Sequence, residues 1–291
     1  MEENLLTIIS QTLKNPNYLG DDCAVINLED TDYLFSQDNF VENTHFSQDY
    51  FSPRDIGWKA LAVNISDICA MAGLPLYVMV GLSLNKDQKD KEAWVKEFYK
   101  GMQACADFHG GLEIIGGDIS SQNNFTSISI SIIGKTSHVL MRKVNEQKDY
   151  LVCVTGKFGN SGNFLKTKNK LDSESHLRPK ARIKEAQFLR EKQIPGALMD
   201  ASDGLAAALY TLAETNKAVI ELESDLIPRD KHLSLDEVFY GGEDYELVGL
   251  FEKVPENFTK IGVLTHKDKQ IKVYDVSQDK CLEKSLQYQH F

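Results

Sequence analysis

The sequence has little of what several large function classes require. No apolar run reaches the length of a membrane span, and the N-terminus Met1-Glu2-Glu3-Asn4 is acidic where a signal peptide would be basic. A cytoplasmic protein without membrane contact is therefore expected. The five cysteines, Cys23, Cys69, Cys105, Cys153 and Cys281, are odd in number, widely spaced and without a C-x-x-C pair. This set suits neither a disulfide framework nor a zinc site, and most are expected to be small buried apolar residues. Basic residues are scarce: 32 Lys and Arg against 43 Asp and Glu leave a net charge of −11, the wrong sign for gripping a nucleic-acid backbone. Also missing are the G-x-x-x-x-G-K-[ST] phosphate loop, the H-R-D catalytic loop, the G-x-S-x-G elbow and the H-E-x-x-H helix. P-loop enzymes, protein kinases, serine hydrolases and zincins thereby lose their usual support.

What is present is acid beside glycine. Gly116-Gly117-Asp118, Met199-Asp200-Ala201-Ser202-Asp203-Gly204-Leu205 and Gly241-Gly242-Glu243-Asp244-Tyr245-Glu246-Leu247 each put carboxylates next to tight-turn residues at an apolar run. Carboxylates in that setting gather hard cations, and Mg²⁺ suits them best because it shares its oxygen shell between carboxylates, water and substrate phosphates. Two unit charges about 4 Å apart interact by roughly 4 kcal/mol at an effective dielectric near 20, so an acidic site accepts a polyphosphate only with cations between. Chemistry on phosphates, with metal, is the expectation.

At 291 residues and 42% hydrophobic, the chain has the size of two moderate domains. Helical spacing predicts a short helix over Leu5 to Leu13, and Cys23 to Ile26 with Tyr33 to Phe35 reads as a hairpin. Ser36 and Asp38, two apart, share a strand face. Ser52-Pro53-Arg54-Asp55 is a helix start, and the helix to about Ala72 has Trp58, Leu61, Ala62, Ile65, Cys69 and Ala72 on one stripe with Asn64 and Asp67 off it. A strand over 76–84, a helix over 87–109, and a strand over 112–115 delivering Gly116-Gly117-Asp118 follow. Ile128, Ile130 and Ile132 alternate with Ser127, Ser129 and Ser131 as a half-buried strand. Polar 142–149 marks the domain boundary. Beyond it come a strand over 150–154, a Gly-rich turn at 156–162, a helix near 179–192, strand 197–200, a helix over 203–216 and strands 218–222 and 245–251, which suggests an α+β or α/β domain. The Gly156 to Gly162 turn is more often structural than phosphate-binding. An isolated aspartate is usually a cap or turn residue, and a lone His45 a packing residue; shared context with glycine and serine sets the acids here apart.

Taken together, Gly20-Asp21-Asp22-Cys23-Ala24-Val25, Asp38 through His45-Phe46, Asp55 through Asn64-Ile65-Ser66-Asp67 and the three acidic motifs resemble the thiamine-monophosphate kinase family, in its motif order from residue 20 to about 250. The ending Tyr288-Gln289-His290-Phe291 is similar as well. The resemblance implies an α+β protein of two domains. Residues 1–141 would be an ATP- and metal-binding domain of mixed sheet and helices, whose sheet pairs with that of a second subunit in a homodimer. Residues 142–291 would be an α/β domain, with the ATP site reached from both. It further implies Mg²⁺ held by Asp22, Ser36, Asp38, Asp67, Asp118, Asp200 and Asp203. Gly117, Asp118, Arg142 and Ser202 would contact nucleotide, and His45 and Glu243 the thiamine phosphate. Two departures stand out. Ser36-Gln37-Asp38 replaces the family's Ser-Thr-Asp, where the amide oxygen of Gln37 can still serve a metal directly or through water. The aromatic residue expected near the C-terminus to stack on thiamine has no secure match.

The implied reaction is direct in-line transfer from ATP to thiamine monophosphate, giving thiamine diphosphate and ADP. A phosphate monoester has a second pKa of about 6, so the nucleophile is already ionised and no catalytic base is needed beyond the metal cluster. Aminoimidazole ribonucleotide synthetase, selenophosphate synthetase and the hydrogenase-maturation dehydratase share the architecture. The second expects a reactive cysteine or selenocysteine near the N-terminus and the third a terminal cysteine; the first fits Met199 to Leu205 and Gly241 to Leu247 less well. A Mg²⁺-dependent phosphatase and a catalytically silent nucleotide-binding protein are the readings from other classes, separable by ATP dependence and product.

Overall fold

The computed structural model describes residues 2–168, 170–266 and 270–284. The first half runs α1 (Glu2–Thr12), β1 (Ala24–Leu28), β2 (Thr31–Val41), α2 (Pro53–Ala70), β3 (Leu74–Asn85), α3 (Lys91–Phe108), β4 (Glu113–Gln122) and β5 (Ser127–Thr136). The second runs β6 (Tyr150–Val154), α4 (Asn160–Thr167), α5 (Ser173–Leu177), α6 (Ile183–Glu191), β7 (Gly196–Asp200), α7 (Leu205–Asn216), β8 (Val219–Leu222), α8 (Leu235–Tyr240), β9 (Leu247–Phe251), β10 (Thr259–Thr265), β11 (Lys272–Asp275) and β12 (Lys280–Cys281). No described helix is long and apolar enough to cross a membrane. Four cysteines are buried and Cys281 is exposed. The C-terminal Tyr288 to Phe291 lies outside the described residues.

Among the described residues there are two sheets. The first has the order β1-β2-β5-β3-β4, the second β12-β11-β8-β10-β6-β9-β7. In the first, β3 pairs antiparallel with β5 and parallel with β4, the edge strand. The alternation in β5 holds, with Ile128, Ile130 and Ile132 buried. In the second sheet only β8 and β11 pair in parallel, so the expected α/β half is a mostly antiparallel, α+β arrangement. β9 and β10 both pair antiparallel with β6, so they run parallel to each other with β6 between them, joined by the short 252–258 segment.

Ser52 caps α2 as its sequence predicts, its side chain accepting from the Asp55 N–H while Asp55 reaches back, with Pro53 in the first turn. The single apolar stripe expected for α2 is not what forms: Ile56, Ala60, Val63 and Ile68 are buried too, as are Lys59, Asn64 and Ser66. The cause is tertiary. α2 lies between the first sheet, α3 and the second half of the chain, where it meets α5, α6 and β7, and one apolar core runs from Leu34 and Ile65 through to Leu198 and Phe251. A helix enclosed on all sides needs no polar face. Its crossing with α3 is tight: a Cβ at Gly57 would overlap the Phe98 carbonyl and one at Gly101 the Arg54 carbonyl.

A second correction concerns Gly116-Gly117-Asp118. The strand does not end before it; β4 continues to Gln122, because both glycines adopt φ of +149°, beside a register shift at Val78 and Met79. A third is the 156–162 turn: α4 already begins within it at Asn160, and α5 follows in a stretch that had no sequence expectation. α8 and the last three strands had no sequence expectation either.

Candidate functional site

Four segments from both halves of the chain bring the acids together. Asp22 precedes β1, Ser36 and Asp38 lie on β2, Ser66 and Asp67 on α2, and Asp200 ends β7, with Asp203 in the turn that opens α7. Asp22, Asp67 and Asp200 each offer an oxygen within 4.8 Å of the others. Ser36 Oγ donates to Asp67 Oδ2 at 2.5 Å and Ser66 Oγ to Asp200 Oδ2 at 2.6 Å. Arg142 closes the flank: its backbone N–H donates to Asp21 Oδ1 at 2.8 Å, and its guanidinium donates to the Gly20 carbonyl at 3.0 Å and to Asp22 Oδ1 at 2.5 Å.

Acids packed this closely, Asp200 buried and Asp22, Asp38 and Asp67 half-buried, disfavour one another's charge. Burial first, then Asp38, Asp200 and Asp22, push Asp67 well above the ordinary carboxylate range, against the hydrogen bond from Ser36. Burial and Asp22 push Asp200 up to about 8. Asp38 is raised by burial and by Asp203 and Asp22, and Asp22 by burial, which outweighs the pull of Arg142. Asp22 Oδ2 is buried without a hydrogen-bond partner. An all-oxygen donor set with raised acids and an orphaned carboxylate oxygen fits a hard divalent cation, whose charge would settle the repulsion.

Beside the acids opens a cleft of about 350 Å³, lined among others by Asp38, His45, Asp67, Ser202, Asp203 and Glu243. Its two C-terminal motifs are laced together by backbone: Glu243 N–H donates to the Ser202 carbonyl at 2.6 Å and Tyr245 N–H to the Ala201 carbonyl at 3.2 Å. Glu243 holds a left-handed φ of 57°, which turns it into the cleft wall. His45 Nδ1 accepts from the Val41 N–H at 3.0 Å, so that nitrogen carries no proton.

The sequence-predicted residues thus divide. Asp22, Ser36, Asp38, Asp67, Asp200, Asp203 and Arg142 converge, with Ser202, His45 and Glu243 along the cleft. Gly117 and Asp118 do not join them within one chain. β4 is separated from β2 by β5 and β3, and the register aligns Asp118 with Gly81, Ser129 and Asn39, whereas Asp38 aligns with Ile130, Val80 and Gly117. Alternation puts Asp118 on the opposite face from Asp38. Gln37 also faces away from the acids, its Oε1 accepting from Ser131 Oγ at 2.9 Å on the neighbouring strand. Ser66, Lys59 and His176 were missed. Ser66 and Lys59 lie in the quoted α2 motif and were legible there; His176 carries no sequence signal.

Comparison with known proteins decides the family. Residues 20–136 match the AIR synthase related protein, N-terminal domain. The chain is 30% identical to thiamine-monophosphate kinase of Bacillus subtilis over 306 residues, covering 94% of this chain and 93% of the relative. The chain belongs to the thiamine-monophosphate kinase family. Another member, from Aquifex aeolicus, is 32% identical over 85% of this chain and 84% of its own length. A solved structure described as AaThiL complexed with AMPPCP and TMP superposes with a TM-score of 0.88 at 28% identity, covering 100% of this chain and 97% of its own. The thiamine-monophosphate kinase likeness therefore spans both halves of the chain, including Asp200, Asp203 and Glu243, which lie beyond the N-terminal match.

Proposed function

We propose that the protein phosphorylates thiamine monophosphate to thiamine diphosphate at the expense of ATP, as a Mg²⁺-dependent phosphotransferase. One observation carries this reading: Asp22, Asp67 and Asp200 converge beside a cleft whose wall holds Asp67, His45 and Glu243. Membership of the family and the likeness to AaThiL complexed with AMPPCP and TMP support the same two substrates.

Asp22, Asp67 and Asp200, with Ser36, Asp38, Asp203 and Asp118, would hold the cations. Bound there, Mg²⁺ supplies the positive charge that lets two phosphate groups approach each other beside an acidic wall. Gly117, Asp118, Arg142 and Ser202 would contact the nucleotide. His45 and Glu243 would orient the thiamine phosphate, so that its ionised oxygen faces the γ-phosphorus. A new P–O bond forms in line as the bond from the γ-phosphorus to the β–γ bridging oxygen breaks, leaving ADP. The protein's part is positioning and charge.

A homodimer belongs to this reading. β4 is a free edge with Ile115 and Ile119 52% and 63% exposed, and the outer face of β3 shows Tyr77 and Met79 at 42% and 43%. An unprotected edge beside exposed apolar residues suits pairing with a second copy, and pairing there would let Asp118 serve a site shared by two chains. ATP as donor agrees with the cytoplasmic location expected from the sequence.

A coupled assay tests the reading: purified protein with ATP, Mg²⁺ and thiamine monophosphate, following ADP and thiamine diphosphate together, with and without chelator. Equal, metal-dependent formation of both is expected. ADP without thiamine diphosphate favours a phosphatase, and no turnover a silent nucleotide-binding protein.

A further inference from the structure

Behind the cleft wall lies a buried polar group that the proposed reaction does not use. Lys59, on α2 of the first domain, is 0% exposed, and its Nζ sits 3.1 Å from Glu243 Oε1 and 3.4 Å from His176 Nδ1. His176, on α5 of the second domain, places Nδ1 3.2 Å from Glu243 Oε2 and 2.9 Å from Ser161 Oγ. Phe51 and Phe164 close around it, with ring centroids 5.4 and 5.1 Å from the imidazole. Each Glu243 oxygen therefore has its own buried partner, one from each domain.

Burial, then the charges of Lys59 and Lys168, pull His176 down to about 2, so it is neutral and has one N–H. With that proton on Nδ1 the ring donates to Glu243 Oε2; Nε2 is buried without a partner. A lysine and an orphaned imidazole nitrogen under apolar cover are costly to keep. The arrangement makes sense if what they hold must not move.

We propose that Lys59 and His176 are positioning residues for the substrate: they fix both oxygens of the Glu243 carboxylate, across the domain boundary, in the orientation that meets the cationic thiamine half of thiamine monophosphate. The idea rests on the reading that Glu243 faces that substrate. The positive thiazolium suits a carboxylate, and a carboxylate held in advance binds it without first losing rotamer freedom.

The test is steady-state kinetics on wild type, Lys59→Met, His176→Leu, Glu243→Gln and the double variant Lys59→Met/Glu243→Gln, with melting curves for each. Lys59→Met is expected to raise KM for thiamine monophosphate about tenfold, with kcat and KM for ATP within about twofold. In the Glu243→Gln background Lys59→Met should add less than about a further twofold, since both act through one carboxylate. An unchanged KM in folded Lys59→Met, or effects that multiply in the double variant, overturns the proposal. Should Lys59→Met fail to fold, His176→Leu decides by the same selective rise in KM. Absence of thiamine diphosphate from wild type would instead overturn the functional reading, and the positioning role with it.

Discussion

Arg142 Nη2 lies 2.5 Å from Asp22 Oδ1, while the other oxygen of that carboxylate has no hydrogen-bond partner. One arginine, between β5 and β6, thus engages half of an acid whose other half is left for the cation cluster. Its charge is the cation that the chain itself provides beside Asp22, Asp67 and Asp200.

Replacing Arg142 by Met should therefore destabilise the metal-free protein. Breaking a largely buried ion pair from one side costs about 3 kcal/mol, the excess coming from the carboxylate left behind. Added Mg²⁺ should recover much of the loss by meeting that carboxylate. Denaturant unfolding in chelator and in Mg²⁺ measures both, and equal losses in the two conditions would place Asp22 outside the metal site.

Asp67→Asn should act in the opposite sense on stability. Asp67 is buried among Asp38, Asp200 and Asp22, so a neutral amide removes repulsion, and the metal-free protein should melt no lower than wild type. Turnover should fall at least about 100-fold, the usual cost of removing one electrostatic contact to a transferring group. Asp118→Asn, on the exposed edge strand, should also leave melting unchanged and depress turnover. Near-normal turnover in both variants would remove these residues from the site.

How much of this was legible depended on the distance over which each feature is encoded. The capping box of Ser52 and Asp55, the Ile-Ser alternation of β5 and the hairpin of β1 and β2 are local patterns, and they formed as read. The acids were legible because glycine and serine neighbours marked them. The burial of α2 on more than one face was not, since it depends on α6 and β7, which arrive more than a hundred residues later. Nor was the bond from Arg142 to Asp22, or the grip of Lys59 and His176 on Glu243. Polar partners buried between segments far apart in sequence leave no periodic trace in the chain. α4 and α5 were hidden for a different reason: Gly159 to Gly162 carries the composition of a turn, and the carboxylate of Asp244, far along the chain, accepts from the Gly159 and Ser161 N–H groups at the start of α4.

Gly57→Ala should destabilise by about 2 kcal/mol, within the range for overpacking a well-filled core. A Cβ there would overlap the Phe98 carbonyl on α3, which is backbone and cannot rotate aside. Chemical denaturation measures the change, and a neutral result would mean that α2 and α3 separate more readily than their packing indicates.

Metal-free stability should fall as pH rises. Asp200 is pushed up to about 8 and Asp244 to about 7, chiefly by burial, both from an ordinary value of 3.8. Between about pH 4 and these values the folded chain keeps protons that the unfolded chain has released, so each raised acid lowers stability by up to about 1.4 kcal/mol per pH unit. The contribution is whole below the unfolded pKa and lost as pH passes the folded one, so the decline should flatten above about pH 8. Mg²⁺ competes with the proton on Asp200 and should raise the melting temperature more at pH 8 than at pH 6. Asp244 separates the two causes, because it caps α4 and is not one of the three clustered acids. Asp244→Asn should remove its share of the slope and leave the Mg²⁺ increment intact, whereas Asp200→Asn should remove both. Melting curves from pH 5.5 to 8.5, in chelator and in Mg²⁺, distinguish these, and a Mg²⁺ increment that survives Asp200→Asn would place the cation elsewhere.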